Sequence, residues 1–508
     1  MNRQLLLLFA ATGIGFLMQT MDITAMNVAL SAIETEFDST LTTIEWVISG
    51  YLLAFSVFLV TGGRLADMFG RKKLFLISLL IFAASSLSGG LAQSDLWLIV
   101  SRIFQGIGAA IMWPCVIGMI NYAVPEDKKG LSVGILFGIA GLGQSIGPIN
   151  GGAFAEFLSW RWILLINIPF SILAAFITLF YLKIEDPKET DETLDYPGIT
   201  ILSLGLFLLM FTFNQSDSWG LYSPLTISLL ILSAILIWAF LRVEKKASSA
   251  LIPPDLMRLR GLMVPCIIIA FITPGGFTAL LYLPQYMEQY LGFSSFEAGL
   301  ALVPAMVTWT LSAPVGGKFY NRFGPKIIIL IASLSMGVST LLFSFTDAHS
   351  DYIWFVPGIL LLGFGLGIGL SSLTTAGVSA VDKSRSSLAG AIVHMFQIGI
   401  GGLGLVLATS IYTYISRSKL SSSLSHFGTE LDHNQLSMLL SGTNFKLQFI
   451  EKFSPQTGSK IASAIQESFI SGMQGAMLFV SLISFAGALI TLAYIRRIPP
   501  TNLANSST

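Results

Sequence analysis

Long apolar runs, each closed by a short polar or charged break, recur along nearly the whole chain. A run of about 18 residues or more reads as a membrane-spanning helix, because a hydrocarbon core of ~30 Å needs ~20 residues at 1.5 Å rise. Fourteen such spans are predicted, at roughly 5–30, 43–62, 74–92, 96–122, 131–157, 161–182, 198–214, 224–241, 261–284, 297–317, 327–346, 354–378, 387–412 and 469–495. The breaks carry turn or charge signals: "AQSD", "VPEDKKG", "IEDPKETDETLDYPG", "NQSDSWGLYSP", "RVEKKASS", "FTDAHSD" and "VDKSRSS". The first run continues past Asp22 to about Leu30, too long for the apolar core of a secretory leader, so it is read as a retained first helix.

Composition points the same way. Of 508 residues, 54% are hydrophobic and 11% charged, and the mean hydropathy is +0.76. The predicted fold class is an all-α polytopic membrane protein, with the lipid bilayer as solvent. A formal net charge of zero offers no electrostatic ground for a nucleic-acid partner. Both cysteines, Cys115 and Cys266, sit in apolar runs, and no CxxC or Cys/His cluster occurs. Neither a disulfide framework nor a metal site is expected.

Lys and Arg fix the expected orientation. With the N-terminus inside, 21 of the 28 basic residues fall in cytoplasmic segments, and five of the six outside lie in one long loop at 413–468. Both termini are therefore expected in the cytoplasm. The densest basic stretch, "GGRLADMFGRKK" at 62–73, becomes the cytoplasmic loop between the second and third helices. Topology explains Arg71, Lys72 and Lys73 but leaves Gly63, Asp67 and Gly70 unexplained.

Residues 317–326, "GKFYNRFGPK", repeat 63–72, "GRLADMFGRK", at an offset of 254. Both copies lie between the second and third helices of a six-helix set. The chain thus divides into a six-helix half at 1–183, a linker with two extra helices at 184–260, and a second half at 261–508 that includes the 413–468 loop. Duplicated halves are a transporter design, with the substrate site between them.

With these motifs in view, the sequence resembles the major facilitator superfamily, specifically its fourteen-helix drug:proton antiporter branch (the EmrB/QacA type). The resemblance covers essentially the whole chain. One motif is Gly63-Arg-Leu-Ala-Asp67-Met-Phe-Gly70-Arg71-Lys72, with Met68 where the family usually has a basic residue. "SRIFQGIGAA" in helix 4 brings Arg102 and Gln105, and "GQSIGPINGG" in helix 5 brings Gly143, Gly147, Pro148, Gly151 and Gly152. "MDITAMNVAL" in helix 1 is similar to the branch's acidic motif. The resemblance implies that the 63–72 loop is a latch between the halves, with Gly63 and Gly70 allowing a tight turn and close approach. Asp67 would cap a helix and pair with a base on a neighbouring helix. It also implies that the helix-5 motif marks an exporter and forms the seam with the other half; its glycines, four apart, share one face. Because the second copy has Asn321 in place of Asp67, the latch is expected to be asymmetric, with Asn321→Asp comparatively harmless.

Ionisable residues inside spans are costly and usually functional. Asp22 lies ~15 Å from the outer end of helix 1 and Arg102 ~10 Å into helix 4, at 1.5 Å per residue, so the two share a depth. Burial favours a neutral carboxyl and a guanidinium favours a charged one, so the pair can titrate and sense a cationic substrate. His394 in helix 13, beside Gln397, is the main candidate in the second half. Pro265, Pro274, Gly275, Gly276 and Pro284 are expected to break helix 9 repeatedly.

No nucleophile constellation or P-loop occurs, so neither an enzyme nor an ATP-driven pump is expected, and no cofactor. The reading is a proton-coupled secondary exporter of small, hydrophobic or cationic compounds in the bacterial inner or plasma membrane. Its partners are that substrate and protons. A proton-coupled importer, or an exporter of one metabolite or siderophore, is the alternative. Were the source Gram-negative, the resemblance also leaves room for a periplasmic adaptor protein.

Overall fold

A computed structural model of the chain describes residues 3–183, 194–220, 223–247, 249–425, 436, 439–440 and 454–495. Among these residues the regular structure is helical throughout, and fourteen helices are long and apolar enough to cross a membrane. They are α1 (Arg3–Phe37), α2 (Trp46–Phe69), α3 (Arg71–Gly90), α4 (Asp95–Ala123), α5 (Glu126–Phe157), α6 (Arg161–Phe180) and α7 (Tyr196–Gln215). Then follow α8 (Pro224–Glu244), α9 (Arg260–Tyr290), α10 (Phe296–Phe323), α11 (Pro325–Ser344), α12 (Tyr352–Ser379), α13 (Lys383–Ser425) and α14 (Gln456–Tyr494).

Packing repeats as the sequence does. In the first six helices, α2 packs on α4, α3 on α4, α1 on α5 and α6, and α3 on α6. Each pair has its counterpart eight helices on: α10 on α12, α11 on α12, α9 on α13 and α14, and α11 on α14. The long-range bonds follow suit. Lys72 Nζ donates to Leu182 O (2.7 Å) just past α6, and Lys326 Nζ to Leu492 O (2.6 Å) in α14.

The helices overrun their apolar runs, because a helix keeps satisfying backbone hydrogen bonds beyond the hydrocarbon. One consequence corrects the sequence reading. "GGRLADMFGRKK" is not a loop: it is helical through Phe69, interrupted only at Gly70, and helical again from Arg71. Gly70 has φ 95° and Gly324, its repeat partner, φ 78°. A side chain is strained at such positive φ, so glycine makes each one-residue break. Gly63 supplies no turn; it lies inside α2.

Helix α9 is also unbroken despite its three internal prolines. Its Pro274 ring seats on Gly404 of α13, where a Cβ would collide with it. Alongside, α13 widens into a π-helical turn at Phe396–Ile400, and the Thr273 hydroxyl of α9 donates to Gln397 O (3.3 Å). Both flanks of the predicted 413–468 loop are helical, α13 reaching Ser425 and the last helix starting at Pro455. Leu420 and Leu424 pack there with Leu436, Leu439, Leu440, Ile461 and Ile465. Residues 426–435, 437–438 and 441–453, central to that expectation, lie outside the described residues.

Between the halves, the sustained contacts among the described residues are α2 and α4 with α13, and α5 with α10 and α12. The first stretch of α13, Lys383–Met395, meets α2 and α4; beyond the π-turn, Gly401–Ser425 packs on α9 and α14. The halves therefore close at the end that carries Gly70 and Gly324. They part beyond the level of His394.

Candidate functional site

Asp22 and Arg102 meet, as their matched depths predict. Arg102 Nη1 donates to Asp22 Oδ2, and the carboxylate and guanidinium are 0% and 1% exposed. Gln105, one helical turn beyond Arg102, donates through Nε2 to Asp22 Oδ1 (3.1 Å) and accepts from Arg102 Nη1 (2.6 Å). Two residues missed in the sequence complete the network. Asn167 of α6 donates to Asp22 Oδ1 (2.7 Å), and Ser86 Oγ of α3 accepts from Gln105 Nε2 (2.9 Å). Arg102 also donates from Nε to Val47 O (3.0 Å) and lies 4.4 Å over the Tyr51 ring. Five helices thus converge on one buried ion pair. Such a pair survives out of water only when further hydrogen bonds complete it.

The stretch 62–73 spans the two halves. Asp67 accepts from the backbone N–H of Ser387 (3.2 Å, Oδ1) and Leu388 (2.8 Å, Oδ2), the first turn of the helix that Ser386 opens. An anion at a helix N-terminus satisfies orphan donors and complements the dipole. Its base opens the neighbouring helix: Arg71, four residues on at the start of α3, pairs with it at 2.8 Å. Arg71 also donates from Nη2 to Lys383 O (2.6 Å) and Ser384 O (2.9 Å), and from Nε to Ser387 Oγ (3.0 Å). Gly63 lets α13 approach: a Cβ there would stand 2.7 Å from Ala391 Cβ and 3.1 Å from Leu388 Cα. The second copy reaches across in the opposite direction. Asn321 Nδ2 donates to Asp127 O, beside the start of α5. Asn321→Asp would lose this bond, since an ionised aspartate has no proton to give that carbonyl.

The helix-5 motif packs differently from its expectation. Cβ atoms on Gly143, Gly147 and Gly151 would collide with Thr20, Thr24 and Ala25 of α1, within the same half. The seam with the other half is a second glycine row earlier in α5. Gly130, Gly134, Gly138 and Gly141 meet Gly317, Ala313, Pro314 and Thr310 of α10. The motif with Pro148 therefore holds α1, and so Asp22, against α5. Gly152 is loosely packed, a Cβ there finding only Val28 Cγ1 at 3.8 Å. Gly134→Ala places its Cβ 2.9 Å from Pro314 Cα, and overpacking of this kind costs about 1–3 kcal/mol. Cross-linking between cysteines placed on α5 and α10 is expected to slow at least about fivefold in Gly134→Ala, since ~1 kcal/mol is a factor of about five in the closed population. Gly152→Ala should match the wild type in the same assay.

His394 sits where the halves part. Its imidazole stacks on Trp113 of α4, centroids 3.9 Å apart and planes 12° apart, and meets the Phe55 edge at 5.6 Å. Its Nδ1 pairs with Gln397 Oε1 at 2.9 Å.

Residues 12–405 match the sequence profile described as Major Facilitator Superfamily. The chain belongs to the major facilitator superfamily. Within that superfamily it is 30% identical over 353 residues to the tetracenomycin C resistance and export protein of Streptomyces glaucescens, covering 68% of this chain and 65% of that protein. Puromycin resistance protein pur8 of Streptomyces alboniger is 30% identical over 331 residues, covering 64% of this chain and 65% of that protein. The chain thus spans about 65% of the length of these curated relatives. The crystal structure of the human organic anion transporter MFSD10 shares the fold at TM-score 0.61 and 14% identity, over 96% of this chain and 99% of that one.

Proposed function

We propose that this chain is a proton-coupled exporter of small hydrophobic or cationic compounds that works by alternating access, and that it is a transporter rather than an enzyme. The observation that carries the reading is the buried Asp22–Arg102 pair, cross-linked to Gln105, Ser86 and Asn167 in the half that also carries the glycine-rich helix-5 motif. The relatives' names, one for tetracenomycin C resistance and export and one for puromycin resistance, support the same reading.

Ionised Asp22 accepts from Arg102, Gln105 and Asn167 together. Adding a proton removes the charge that balances Arg102 and turns one acceptor oxygen into a donor. The network must then rearrange, shifting α1 against α4 and α6. A cationic substrate competes with the proton for the same carboxylate, so one leaves as the other binds. The face bearing Gly70 and Gly324 is assigned to the cytoplasm by its Lys and Arg content, with both termini on that side. The membrane proposed for the chain in a bacterium is the inner or plasma membrane.

Energised cells expressing the chain should extrude a substrate against its gradient and lose that extrusion when a protonophore is added. Extrusion unchanged by the protonophore would overturn the reading.

A further inference from the structure

The stacked pair Trp113–His394 has a geometry that the latch does not need. Clamping the halves takes hydrogen bonds and close backbone approach, and Asp67, Arg71 and Gly63 provide both. At His394 the halves instead meet through two flat rings at van der Waals separation, 3.9 Å between centroids and nearly parallel. Trp113 is itself part of an aromatic floor on the first half. Phe16 lies 4.2 Å from it, Phe137 meets it edge-on at 6.0 Å, and Phe55 meets it edge-on at 6.3 Å. That floor connects to the ion pair, since Tyr51 stacks parallel on Phe55 at 6.4 Å and carries Arg102 on its face.

The place of the stack matters as much as its shape. His394 is on the last turn of α13 that touches the first half, just before the π-turn at Phe396–Ile400. Beyond it the halves diverge. The imidazole is therefore a ring that the second half lays on the floor of the first where the basic face is closed. A planar guest on Trp113 and the His394 ring would compete for one site.

We infer that the face of Trp113 that His394 covers, walled by Phe16, Phe55 and Phe137, is the substrate platform for planar aromatic compounds. On this inference His394 is an internal competitor that takes the platform as the basic face closes and pushes the substrate toward the opposite face. It rests on the export reading above and adds the substrate class and the expelling group. Flat rings prefer offset or edge contacts with aromatic walls, so a planar ring system gains here what a tetrahedral molecule of equal size does not. Gln397, paired with His394 Nδ1, holds the imidazole in the plane of the stack.

The test uses the purified full chain in lipid nanodiscs with two fluorescent or displaceable cations, planar ethidium and tetrahedral tetraphenylphosphonium. His394→Ala removes the competitor and should tighten ethidium at least threefold while leaving tetraphenylphosphonium within twofold. Trp113→Leu should weaken ethidium at least tenfold, whereas Trp113→Phe, which keeps a flat face, should stay within threefold. Equal shifts for both cations in either variant overturn the inference, as does unchanged ethidium binding in His394→Ala. Efflux of a wider panel from energised vesicles separates the two readings. A wild type that exports nothing overturns the export reading. One that exports only non-planar members leaves export standing and overturns the platform.

Discussion

Asp22→Asn is expected to abolish proton-driven export, lowering it at least about a hundredfold. The amide cannot take up a proton and carries no charge to balance Arg102, which is buried with it. Removing one partner of a buried pair costs about 3–5 kcal/mol, and ~3 kcal/mol alone corresponds to more than a hundredfold. Loss of folding is separated from loss of coupling by a second readout. Exchange of labelled for unlabelled substrate across proteoliposomes involves no net proton movement, so it should persist in Asp22→Asn while uphill export is lost. Proton-coupled uphill export surviving in this variant would remove Asp22 from the mechanism. Gln105→Ala offers a milder contrast, since it takes away a neutral donor to Asp22 Oδ1 and leaves the ion pair.

Asp67→Asn is expected to reduce transport by about ten- to a hundredfold. Asp67 accepts from two backbone N–H groups of α13 and from Arg71, which also holds the carbonyls of Lys383 and Ser384. Hydrogen bonds to charged groups contribute roughly 1.5–3 kcal/mol each, and losing one such increment shifts the open and closed populations by about one to two decades. Cysteines placed on α2 and α13 at the Gly70 end would report this directly, cross-linking more slowly in Asp67→Asn than in the wild type. Asn321→Asp should also impair transport, by about three- to tenfold, because a net hydrogen bond of ~1 kcal/mol is lost. The second clamp is the weaker one. At the positions matching Asp67 and Arg71 it has Asn321 and Pro325, so it makes no ion pair of its own there. Equal impairment by the two variants would contradict that ranking.

The helix number, the repeat and the pairing of Asp22 with Arg102 were legible because each has a one-dimensional signal. Apolar length counts spans, and 1.5 Å per residue gives depth. Asn167 and Ser86 were not found, since a neutral polar residue in an apolar run has no distinctive pattern; the position of Asn167 in "LLINIPF" was the available hint. Glycine spacing gave the face of α5 but not its neighbour. Two rows lie on that helix, Gly130–Gly141 and Gly143–Gly151, and only packing assigns the first to α10 and the second to α1. The stretch 62–73 read as a loop because charge was taken for a break in structure. In fact a single glycine at positive φ suffices. Trp113 and His394 are distant in the sequence, and nothing in either neighbourhood predicts that their rings touch.

Helices α7 and α8 pack on each other, and α7 leans on α2 through Asn214 and Ser49 (2.7 Å) and through Phe211 and Trp46 (5.8 Å). Most of their surface faces outward from the bundle. What they touch is thus loosely constrained, but their number is not. The clamp from Asp67 and the clamp from Asn321 close at the same end of the molecule, so the second bundle must stand the same way up as the first. An even number of crossings between them preserves that relation. One crossing, or three, would invert the second bundle and carry Asn321 to the face opposite Asp127. Parity is the one property of this hairpin that the rest of the fold cannot do without.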